Sequence, residues 1–184
     1  MRLTNNFEVA APPDAAWELL NNVPQVVPCM PGAELTRVVG ENQWEAVMHV
    51  KLGPISLKFL TDVERVEVDR AARRIVLSAK GREARGRGSA RATIESSLAE
   101  AGTGTRVTVV TDLTLQGAVA QYGRGIVTDV AGRLTESFAA CIAKRLDEPS
   151  DAEHDPPASA VKPVGGLRLA LGALWRRLAG LFRR

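Results

Sequence analysis

Residues 106–146 read RVTVVTDLTLQGAVAQYGRGIVTDVAGRLTESFAACIAKRL, and within them the apolar period changes from two to about 3.6. Val107, Val109, Thr111, Leu113 and Leu115 alternate with Arg106, Thr108, Asp112, Thr114 and Gln116, as in a strand with one apolar and one solvated face. Beyond it Val119, Tyr122, Ile126, Val130, Leu134, Phe138, Cys141 and Ile142 keep helical spacing, which predicts one long helix over 119–146. A strand feeding a helix with a single apolar stripe points to a helix lying across a sheet. Gly123, Gly125 and Gly132 interrupt it, each costing ~1 kcal/mol relative to Ala. They suit either tight helix–sheet packing or a thin, mobile helix beside a cavity, and both readings stand open.

Upstream, period two persists from Glu34 to Gln116. Trp44, Ala46, Met48, Val50 and Leu52 share one face, opposite Glu45, His49 and Lys51. Ile55, Leu57, Phe59 and Val63 oppose Lys58 and Asp62, and Ile75, Leu77 and Ala79 oppose Arg74, Ser78 and Lys80. Ala90, Ala92, Ile94 and Leu98 oppose Arg91, Thr93, Glu95 and Ser97. Turns are expected at Pro54, Asp69–Arg73, Gly81–Gly88 and Gly102–Gly104. The pattern predicts an antiparallel meander. Residues 3–10 read as a first strand, Pro12-Pro13-Asp14 opens a short helix carrying Trp17, and a second helical turn surrounds Pro24–Cys29. The fold class is α+β.

The 184 residues carry a net charge of +3 that hides an asymmetry. Residues 1–155 hold 18 basic and 21 acidic residues, a net −3, whereas residues 156–184 hold Lys162, five arginines and no acid. A nucleic-acid-binding core is therefore not expected. No 18-residue apolar run and no signal-peptide core is present, so neither a transmembrane helix nor a secretory leader is read. Cys29 and Cys141 form no disulfide framework or zinc site and read as free, buried thiols, which suit a reducing cytoplasm.

Residues 147–163 are rich in proline and acids, lack periodicity and read as a flexible linker with a reach of roughly 20–25 Å. Residues 164–184 read as a basic amphipathic helix. Leu167, Leu171, Leu174, Trp175, Leu178, Leu181 and Phe182 fall within one arc, with Arg168, Arg176, Arg177, Arg183 and Arg184 outside it. An apolar stripe opposed only by arginine is the signature of a helix lying in an anionic membrane interface. Docking on a partner protein, or on its own domain, is the other reading.

Catalytic constellations are lacking. His49 falls on a polar strand face and His154 in the linker, and neither paired carboxylates nor metal-ligand spacing occurs. Gly86-Arg87-Gly88 reads as a turn. The inward sets suggest a cavity lined by Met48, Val50, Leu57, Phe59, Leu77, Ile94 and Leu113 from the sheet and Tyr122, Ile126 and Val130 from the helix, with Tyr122 as a polar contact. An ordinary filled core is the alternative. The small inward residues Ala46, Ala79, Ala90 and Ala92 favour the cavity.

Ala16-Trp17-Glu18-Leu19-Leu20-Asn21 followed by Cys29-Met30-Pro31-Gly32-Ala33-Glu34 resembles the W-x-L-L-N…C-x-P-G pattern of the CoxG family, named for a subunit of carbon monoxide dehydrogenase. Val130–Phe138 resembles that family's end-of-domain helix, and the resemblance covers about residues 1–146. It implies the helix-grip fold of the START/Bet v 1-like (SRPBCC) superfamily, with a curved antiparallel sheet around a long C-terminal helix and two short helices after the first strand. It also implies a non-catalytic protein at the cytoplasmic face of the cell membrane. Such a protein recruits a molybdenum hydroxylase of the carbon monoxide dehydrogenase type and binds a respiratory quinone, menaquinone or ubiquinone, with no covalent cofactor. An adaptor without ligand, or a cyclase or hydrolase of the same superfold acting on an apolar substrate, are the alternatives.

Overall fold

The computed structural model describes residues 1–53 and 55–148. Seven strands form one antiparallel sheet: β1 (Arg2–Val9), β2 (Ala33–Gly40), β3 (Gln43–Leu52), β4 (Ile55–Asp69), β5 (Arg74–Glu83), β6 (Gly88–Ala101) and β7 (Gly104–Gly117). Their order is β1-β7-β6-β5-β4-β3-β2, so the meander from β2 to β7 is completed by β1 pairing back along β7. Helices α1 (Pro13–Leu20) and α2 (Val23–Val26), with a 3₁₀ turn at Val27–Cys29, separate β1 from β2. The long helix α3 (Gly123–Asp147) ends the described chain. This is the helix-grip arrangement.

Local chemistry accounts for the boundaries. Pro13 opens α1, where its missing N–H costs no helical bond, and Asn22 caps α2 by accepting from the Gln25 N–H at 3.3 Å. The β5–β6 connection is shorter than the expected Gly81–Gly88 turn, because β5 continues to Glu83. The expected turn residue Pro54 lies outside the described residues.

Two further expectations are corrected. The helix does not begin at 119: residues Ala118–Tyr122 form a separate 3₁₀ turn, bracketed by Gly117 and Gly123 at φ 76° each. A side chain cannot easily adopt that left-handed backbone, so the two glycines break the helix from the strand. Cys29 and Cys141 are not free thiols but form a disulfide with Cα atoms 5.3 Å apart. The bridge ties the 3₁₀ turn before β2 to the C-terminal half of α3, 112 residues away.

Candidate ligand cavity

The inward side chains of the sheet divide into two separate cores. One gathers Val9, Trp17, Cys29, Ile75, Leu98, Val107 and Ile142, with Phe7, Leu77 and Phe138 packed against it, and the disulfide lies within it. Phe7 and Phe138 meet edge to face, with centroids 6.0 Å apart. The other core gathers Leu52, Leu57, Phe59 and Val119, with Met48, Val50, Tyr122 and Val130 against it. Between them, Val63, Ala79, Ala92 and Leu113 are paired neighbours in a row across β4, β5, β6 and β7. They belong to neither core and all four are half-buried. At about 4.8 Å per strand the row spans roughly 14 Å of apolar concave surface, with two alanines at its middle.

The structure thus brings Met48, Val50, Leu57, Phe59, Tyr122 and Val130 into one cluster. Leu77 packs in the other core, and Ile94 and Leu113 stay half-buried on the concave face. Ile126 does not belong with them: it is 45% exposed, and its neighbour Val127 is the buried residue. Val63, which the sequence places on the inward face, and Thr61, which it does not, stand beside Ala79 and Gly81 in the β4–β5 register. The membrane-helix residues from Leu167 to Arg184 lie outside the described residues.

One acid reaches the inward side. Glu83, opposite Phe59 in the β4–β5 register, is 5% exposed. It accepts the backbone N–H groups of Arg85 at 2.9 Å and Arg87 at 3.0 Å, with the Arg87 Nε 3.6 Å away. Burial pushes its pKa up, but these backbone bonds and the charges of Arg87 and Arg85 outweigh burial and hold it below the usual carboxylate range. Glu83 therefore closes the β5–β6 turn as an ionised group. His49 is exposed on the outer face. Among the described residues, no group of His, Cys, Asp and Glu could hold a metal, and no helix is long and apolar enough to cross a membrane.

Residues 6–147 match the model of the family described as the G subunit of carbon monoxide dehydrogenase (CoxG). The chain belongs to this family. No curated protein matches it. Solved structures are similar at the level of fold. A conserved protein from Geobacillus kaustophilus is 20% identical, with a TM-score of 0.70 over 79% of this chain and 95% of its own. The Zhui aromatase/cyclase from Streptomyces sp. R1128 is 15% identical, with a TM-score of 0.57 over 79% and 93%. Ara h 8.0201 is 12% identical, with a TM-score of 0.52 over 79% and 97%. They share the helix-grip fold of this CoxG chain.

The CoxG-like motif residues have structural tasks. Trp17 is 2% exposed in the first core. Asn21 receives the Arg65 guanidinium through its backbone oxygen at 2.9 Å and its Oδ1 at 3.0 Å, while the same guanidinium sits 5.6 Å from the centroid of the Trp44 ring. Gly32 adopts φ 80°, its carbonyl accepts the His49 N–H at 2.7 Å, and a Cβ there would lie 2.3 Å from the His49 oxygen. Only glycine fits at that crossing.

Proposed function

We propose that this CoxG-family protein is a non-catalytic carrier. It holds a hydrophobic ligand, a respiratory quinone such as menaquinone or ubiquinone, on the concave face and serves a molybdenum-containing dehydrogenase of the carbon monoxide dehydrogenase type at the membrane. The observation that carries this reading is the half-buried apolar row between the two cores. Four adjacent apolar positions outside both cores leave a strip of the concave face that an apolar ligand could cover. Mostly apolar lining with few polar groups suits an isoprenoid or lipid cargo. The family name supplies the enzymatic partner. The basic stripe of residues 164–184 supplies a peripheral anchor to anionic lipid, from which the domain presents its cargo. The cytoplasmic face is the proposed location, now without the support of free thiols, since disulfides are rare in reducing compartments.

The full chain purified from membranes should yield an isoprenoid quinone on solvent extraction and mass spectrometry. An empty extract, together with no binding on titration with menaquinone, would leave a recruitment adaptor that carries nothing.

A further inference from the structure

We infer that the folded domain itself docks on an anionic bilayer through one end of its sheet, in addition to the tail. Lys58, Lys80, Arg82, Arg85, Arg91 and Arg124 are all exposed. Strand register assembles four of them on the outer face: Lys80 lies directly opposite both Asp62 and Arg91, Arg82 opposite Leu60 and Ser89, and Lys58 beside them on β4. A hollow of about 310 Å³ opens among Asp62, Lys80, Arg82, Ser89 and Arg91. Arg85 caps the adjoining β5–β6 turn. Arg124 lies in the first turn of α3 at the same end, where Tyr122 packs against the core of Leu52, Leu57, Phe59 and Val119 and the Val119 N–H donates to the Arg87 oxygen at 3.3 Å.

Among the described residues none of the six forms an ion pair, whereas Arg70, Arg73, Arg74 and Arg106 elsewhere are paired with Glu18, Asp14, Glu67 and Glu8. Lys80 directly across from Arg91 is a like-charge pair, which destabilises a sheet. Two exposed apolar side chains stand at this end, Leu60 at 51% beside Arg82 and Ile126 at 45% beyond Arg124. Bases interleaved with exposed apolar groups fit a lipid headgroup surface, where the bases meet anionic headgroups and the apolar tips enter the interface. An acidic protein surface would satisfy the charges but not Leu60 and Ile126. Docked this way, the first turn of α3 and the glycines that bracket its 3₁₀ turn face the bilayer. The inference deepens the carrier reading and rests on it for membrane attachment.

The test is hydrogen exchange on the full chain with vesicles of equal parts phosphatidylcholine and phosphatidylglycerol, compared with phosphatidylcholine alone. Anionic vesicles should slow exchange in the 84–87 turn and over 118–126. The triple variant K58E/R82E/R91E should lose that protection and bind anionic vesicles about tenfold more weakly. Unchanged exchange in β1 and β7 shows that the variant is folded, and K58Q/R82Q/R91Q should fall between the two. Unaltered exchange at both segments in wild type that sediments with anionic vesicles would overturn the inference, as would equal protection on neutral vesicles. An empty solvent extract would overturn the carrier reading and leave this result untouched.

Discussion

At the scale of single residues, Glu83 and the cysteine pair make the sharpest predictions. The folded pKa of Glu83 lies below its unfolded value, so the fold favours the ionised form. Its contribution is whole above about pH 4.3, the ordinary value for glutamate, and is lost as pH falls through the lower folded value. Melting temperatures of wild type and Glu83→Gln should therefore differ by a constant amount at neutral pH and converge in acid, as pH falls through the lowered pKa of Glu83. A gap that stays constant into acid would place the benefit of Glu83 elsewhere than in its charge. The Cys29–Cys141 bridge closes a loop of over a hundred residues, so Cys141→Ser should cost about 2–5 kcal/mol in denaturant unfolding. The denatured, unreduced protein should show no titratable thiol. Neither feature was legible in the sequence. Cys29 has no partner nearby along the chain, and the pairing exists only because α3 crosses the turn before β2. Glu83 looked like one more charge in a glycine-rich turn.

At the scale of elements, the strand faces were readable because period two puts alternate residues on opposite sides whatever the neighbours do. The long helix was readable in kind but not in phase. From Ile142 back through Phe138, Leu134, Val130 and Ile126 the apolar residues step by four, and each step turns about 40° beyond a full rotation. After four steps Ile126 points about 160° from Ile142, while Val127 lies only about 60° away. This drift places Ile126 at 45% exposure and Val127 at 9%. Val127→Ala should thus cost about 1–3 kcal/mol, whereas Ile126→Ala should change stability by no more than about 0.5 kcal/mol, both read by urea unfolding. The reverse order would mean that α3 is rotated from the arrangement described.

At the scale of the whole molecule, the two-core architecture is what the sequence could only suggest. Small inward residues hinted at unfilled volume. That Ala79 and Ala92 sit side by side between Val63 and Leu113, outside both cores, follows from register alone. In the proposed carrier this row borders a cavity rather than a packed interior. Ala92→Phe tests it most directly, through thermal unfolding and menaquinone titration on the same preparation. In a filled core the added ring costs about 1–3 kcal/mol through overpacking. Beside a cavity the variant should instead melt at or above the wild-type temperature and bind menaquinone at least about tenfold more weakly, its ring occupying the ligand's place. A variant that is clearly destabilised, or that binds menaquinone as the wild type does, would contradict it.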